Sequence, residues 1–114
     1  MGRIARTALF ALALSAGPAL AKDTLFWNLT ADKIVKFQLS PPGKDQWGAN
    51  QTANDKDGSV DPDERLKITG VAAGDYDVMF TDAKGRTCVV RKVAIETGKI
   101  FSIDEKELAN GCKP

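Results

Sequence analysis

Ala53-Asn54-Asp55-Lys56-Asp57-Gly58-Ser59-Val60-Asp61-Pro62-Asp63-Glu64 is the stretch whose residue types and spacing come nearest to a defined chemistry. Aligned on a twelve-residue EF-hand loop, it matches every side-chain ligand position but the first. Asp55 and Asp57 fall at positions 3 and 5, Gly58 at the turn, Asp61 at position 9 and Glu64 at the bidentate position 12. Val60 supplies the apolar position 8, and Ala53 stands where position 1 needs an acid. Asp55, Asp57, Asp61, Asp63 and Glu64 are opposed only by Lys56. Hard cations that take six to eight oxygens suit such a loop: Ca²⁺, or a lanthanide ion of higher charge. Turn chemistry explains the same residues without an ion. Asp57-Gly58 is a turn signal, and Asp61-Pro62-Asp63-Glu64 fits a type I turn with Pro at its second position. The flanking helices of an EF-hand are absent from the pattern, because Arg65 to Thr69 reads as a strand.

Other chemistry is sparse. The chain has no histidine, which removes Ser-His-Asp and Cys-His catalysis and histidine-ligated zinc. No Gly-x-Ser-x-Gly elbow or phosphate-binding glycine loop occurs. Asp75 and Asp77 share one face of a strand whose other face carries Tyr76, Val78 and Phe80, so both acids are expected to face water. The chain therefore reads as a non-enzyme. Cys88 and Cys112 make an even count without C-x-x-C spacing. They read as a structural disulfide closing a loop of about 25 residues, worth roughly 3–3.5 kcal/mol.

The first 21 residues carry an export signature. Arg3 and Arg6 precede the apolar run Ala8–Ala16, and Ala19-Leu20-Ala21 offers small residues for cleavage before Lys22. The run is too short for a stable membrane anchor of about 20 residues. Residues 22–114 then form one domain, read as periplasmic. The full chain's net charge is +1, and loss of the two leader arginines brings it to −1, which leaves no footprint for nucleic acid or anionic lipid.

The elements that must position these residues are short strands between turns. Thr24–Thr30, Ile34–Leu39, Arg65–Thr69, Tyr76–Phe80, Arg86–Ile95 and Ile100–Ile103 read as strands. In the second of these Val35, Phe37 and Leu39 are expected on the buried face. Asp104 to Ala109 reads as one or two helical turns ended by Asn110-Gly111. The fold class is all-β: a small antiparallel sandwich, immunoglobulin- or transthyretin-like. Gly74-Asp75-Tyr76 suggests either a tyrosine corner or an ordinary buried strand Tyr. From Gly43 to Asp63 no periodic apolar pattern appears. That length is unusual in a compact domain, where such loops are usually functional or mobile, and the loop Pro42–Gly58 is the candidate partner-binding segment. Trp47 within it is either an exposed anchor for a protein partner or a ring folded back on the sandwich edge. Asn28-Leu29-Thr30 and Asn50-Gln51-Thr52 fit glycosylation sequons by pattern only.

Asn28-x-Thr30, Ser40-Pro41-x-Gly43, Trp47-Gly48-x-Asn50 and Tyr76-Asp77-Val78, taken in order, resemble a group of small exported bacterial β domains of undetermined activity. The resemblance spans Phe26 to Ile103. It implies the fold and an exported location more than a function; the domain itself is expected to be an accessory module with a periplasmic protein partner. The Asp-rich segment departs from that group's plainer loop.

Overall fold

The computed structural model describes residues 22–114. The export signal read in residues 1–21 lies outside the described residues. Seven strands form two sheets: β1 (Thr24–Leu29), β2 (Ile34–Ser40), β3 (Arg65–Ile68), β4 (Gly74–Asp82), β5 (Thr87–Ile95), β6 (Ile100–Asp104) and β7 (Cys112–Lys113). One sheet has the order β3-β1-β6 and the other β2-β4-β5-β7. The all-β sandwich is as expected, with one departure. β1 pairs β3 antiparallel but β6 parallel. The expected C-terminal helical turn is a 3-10 turn at Glu105–Leu108, with Asp104 as its N-cap.

Alternation decides what fills the core. Phe26 of β1, Phe37 of β2 and Ile103 of β6 are all fully buried. The Phe26 and Phe37 rings lie 4.4 Å apart and join the two sheets, with Phe101 at 5.5 Å from Phe26. Phe26 and Phe37 are fully buried and Phe101 packs partly buried against them, so these rings bury much apolar surface at the centre of the core. In β2 the expected face is wrong at one position. A bulge lies between Ile34 and Lys36 in the pairing with β4. It turns Ile34 into the core and leaves Val35 39% exposed. One extra residue on the bulged strand shifts every preceding side chain to the other face.

The connections are held by buried polar side chains. Asn28 is fully buried. Its amide donates to Asp32 O and Val60 O, and its Oδ1 accepts from Thr30 N and Oγ1. That amide is committed to the interior, so the Asn28 sequon is closed once the domain has folded. Tyr76 Oη donates to Ala72 O at 2.6 Å, the hydrogen bond expected of a tyrosine corner. Tyr76→Phe is expected to cost about 1 kcal/mol. An unchanged urea midpoint would remove the corner from the account of stability.

Cys88 and Cys112 form the expected disulfide, across the β5–β7 pair. The tail reaches β5 through a second anchor as well. Asp82 accepts from Lys84 N, Arg86 N and Arg86 Nε at the β4–β5 hairpin, and Arg86 Nη1 reaches Glu105 at 2.9 Å. No helix among the described residues is long and apolar enough to cross a membrane.

Candidate functional site: a clamped loop across two sheet edges

The chain from Pro41 to Glu64 divides into three parts, each held differently. The first, Pro41–Gly48, folds over the outer face of β4 and β5. Gly43 and Asp45 adopt positive φ values of 74° and 49°, which turn the chain back toward the sheet. Asp77 receives it. Its Oδ2 accepts from Gly43 N at 2.8 Å and from Arg91 Nη1 at 2.8 Å, while Oδ1 accepts from Lys92 N at 3.0 Å. The same Arg91 Nη1 donates to Asp45 at 2.9 Å. Asp77 therefore corrects the expectation that it faces water. It lies on the predicted outer face, yet the loop and Arg91 cover it and leave it 1% exposed. Burial pushes its pKa up, but the Gly43 and Lys92 amides and Arg91 together outweigh that and hold it below the usual carboxylate value. Asp75 stays exposed, as expected.

Trp47 is half-buried and sits between two pinned neighbours. Gln46 N donates to Ser40 Oγ at 2.8 Å, and Gly48 N donates to Leu39 O at 2.9 Å. Gln38 Nε2 donates to Gly48 O at 2.9 Å. The loop's direction is thus set by the end of β2 on both sides of the indole.

The second part, Gln51–Asn54, is a 3-10 turn that staples the edges of both sheets. On the β2 side, Asn50 Oδ1 accepts from Phe37 N at 2.9 Å, and Thr52 Oγ1 donates to Val35 O at 3.3 Å. On the β3 side, Gln51 exchanges hydrogen bonds with both Thr69 N and Thr69 O, and Asn54 Nδ2 donates to Lys67 O at 2.8 Å. These amides satisfy edge backbone groups that would otherwise face water or a second chain. Beside the turn lies a groove of about 400 Å³ lined by Leu39, Gly48, Asn50, Gln51, Thr69 and Val71 among others. It is in the size range of small ligand pockets.

The third part holds the acidic residues, and they are spread over separate tasks. Asp55 Oδ2 accepts from Asp57 N, closing a turn with Gly58 N on Asp55 O. Val60 then enters the core at 1% exposure and exchanges two backbone hydrogen bonds with Ile34. It separates the Asp55/Asp57 turn from the next one. There Glu64 Oε1 accepts from Asp61 N at 2.8 Å, and Asp61 lies 3.8 Å from Lys33 Nζ. Asp63, at φ 72°, accepts from Trp27 Nε1 at 3.0 Å. Arg65 covers the Trp27 ring at 4.5 Å. Among the described residues, no three or more acids, cysteines or histidines come together as a metal-holding group.

Of the residues singled out from sequence, the disulfide pair is built into the scaffold, Trp47 sits half-buried on a pinned loop, and the five acids do not share a centre. The clamping roles of Asp77, Arg91, Asn50, Gln51 and Asn54 were not anticipated, although Asp77 and Asn50 stand in the motifs quoted from the sequence. An acid in the middle of an apolar strand, and an amide-rich run next to a Trp-Gly pair, are the signals that could have found them. In comparison with known proteins, no family model, curated protein or solved structure matches the chain.

Proposed function

We propose that the domain is a non-enzymatic binding module, exported to the periplasm, which engages a protein partner through Pro41–Asn54 with Trp47 as the anchor. The observation that carries this reading is the fixing of Trp47 between Gln46 and Gly48, both hydrogen-bonded to β2. A preorganised aromatic loses little conformational freedom on binding, and Trp dominates interface hot spots. The adjoining groove offers room for a partner side chain. A disulfide in a small domain fits an oxidising compartment. The carboxylates with displaced pKa values, Asp77, Asp82 and Glu105, are all held toward the ionised form by their donors. Locked acceptors are poor general acids at neutral pH.

Proteins recovered from periplasmic extract by the wild type and by Trp47→Ala test the reading. A genuine partner is lost by the variant, and its purified form binds the wild type tighter by about 2 kcal/mol or more. Equal recovery by both forms removes Trp47 from the interface. The alternative is a Ca²⁺ or lanthanide ion held by Asp55, Asp57, Asp61, Asp63 and Glu64, which requires these acids to leave their present donors. Trp27, bonded to Asp63, is the natural antenna for terbium. The partner reading predicts no sensitised emission at millimolar terbium, and the ion reading predicts strong emission.

A further inference from the structure

We infer that β6 is a self-association edge, along which two copies of the chain pair antiparallel and extend β3-β1-β6 into a six-stranded sheet. The other edges are occupied or blunted. Asn50 and Thr52 cover β2, Gln51 and Asn54 cover β3, and β5 carries β7 and a bulge with Lys92 at φ 54°. β6 has no bulge, and its one cover is at its end, where Asp104 N donates to Glu107 Oε2. Its register with β1 is regular from Ile100 to Asp104. Leu25 N donates to Lys99 O, so in a parallel ladder Lys99, Phe101 and Ile103 direct their backbone groups at β1. Ile100 and Ser102 direct theirs outward, and among the described residues nothing hydrogen-bonds to them.

Composition points the same way. Ile100-Phe101-Ser102-Ile103 contains no charge and no proline, the usual devices against edge pairing. Ile100 is 52% exposed, and Phe101 is only partly buried where it packs on the core.

Charge selects the occupant. The strand is preceded by Lys99 and ends in Asp104-Glu105. A two-fold antiparallel pair centred on Ser102 sets Ser102 opposite Ser102 of the second copy, and Phe101 opposite its Ile103. Lys99 then falls opposite Glu105 of the second copy, twice, beside Asp104. Asp104 Oδ1 is the buried side-chain oxygen that lacks a hydrogen-bond partner. A parallel pair would instead stack Lys99 on Lys99. Paired residues share a face in this register, so Phe101 and Ile103 of both copies line the inner face and the Lys99–Glu105 pairs flank them at each end. A five-residue edge buries less than the roughly 1,200 Å² of standard interfaces, so the dimer is expected to be weak and concentration-dependent.

Sedimentation velocity of the intact protein from micromolar to millimolar concentration tests this, with hydrogen exchange at Ser102. The expected result is a monomer–dimer equilibrium in which the Ser102 amide is protected only at high concentration. Ser102→Pro removes the outward donor on an edge that tolerates proline, and it weakens the dimer by about tenfold or more. Ile100→Asp, at an exposed position that leaves the backbone intact, sets an acid against Asp104 of the second copy and has the same effect. A wild type that stays monomeric to millimolar concentration overturns the inference. So does a dimer that survives Ile100→Asp unchanged.

Discussion

Asp77→Asn is expected to destabilise the domain by about 2–4 kcal/mol and to loosen the loop that carries Trp47. The substitution keeps the shape and removes one of two acceptors. In the native protein, Oδ1 serves Lys92 N, while Oδ2 serves Gly43 N and Arg91 Nη1. Asparagine can present its single oxygen to one side only. Its NH₂ group then meets either the Lys92 amide or the Gly43–Arg91 pair, donor against donor, in a position that is 1% exposed. A buried donor without an acceptor costs more than the hydrogen bond it has lost. Arg91 is half-exposed and can turn to water or to Asp45, so the two backbone amides bear most of the cost. Two measurements report different parts of this. Urea unfolding gives the total loss, and hydrogen exchange at Gly43 gives the local one. Unchanged exchange at Gly43 would separate the loop from Asp77 and leave Trp47 without its support on that side.

Acid has a related effect, with a defined sign. In the folded protein the pKa values of Asp77 and Asp82 are held below the usual carboxylate value. In both, burial alone would raise the pKa, and the hydrogen-bond donors reverse it. A depressed folded pKa means that the unfolded chain binds the proton more tightly. The stability from these acids is complete above the unfolded carboxylate range. It is lost as pH falls through that range to the folded value. Asp77→Asn should therefore flatten the acid limb of the stability curve relative to the wild type, while leaving its shape near neutrality unchanged.

The six larger strands and the final 3-10 turn were legible because alternation and turn residues carry that information locally. β7 was not, because two residues hold no period; it exists through Cys112 and the Val89–Gly111 hydrogen bond. The bulge in β2 was hidden for a similar reason. Both Ile34 and Val35 are apolar, and only the tie of Ile34 to Val60 decides which one turns inward. Asp77 was read on the right face with the wrong surroundings, since a strand's pattern does not say that a loop more than 30 residues away will cover it. Several residues of the quoted motifs act as clamps in this structure. Ser40 and Gly43 meet Gln46 and Asp77, Asn50 meets β2, and Asn28 meets Val60. They fix loops to strands, which is why they speak for the fold more than for any chemistry. The acidic run misled for the opposite reason: its spacing resembles a ligand set, but Val60 draws the middle of it into the core.

Breaking the Cys88–Cys112 link is expected to remove roughly 3 kcal/mol of stability, mainly by releasing loop entropy in the unfolded chain. The separation of 24 residues places this in the middle range for a single bridge. A domain of this size commonly has 5–15 kcal/mol in all, so the loss is a substantial fraction. Cys112→Ser is the cleaner variant. Cys112 is partly exposed, whereas Cys88 is fully buried and its loss would add a cavity to the effect. The unfolding temperature should fall by about 10 °C or more. Reduced wild-type protein should fall with it, since both lack the same constraint. The tail should not detach wholesale. Leu108 remains in the core and Arg86 still holds Glu105. Exchange is therefore expected to accelerate first at Val89, whose amide rests on Gly111 O, and later at Phe80 and the centre of β4. If reduction leaves the midpoint unchanged, the bridge does not act through the entropy of the unfolded chain, and this account of its role is wrong. If it falls as expected, the domain reaches full stability only in an oxidising compartment, which is where the proposed export would deliver it.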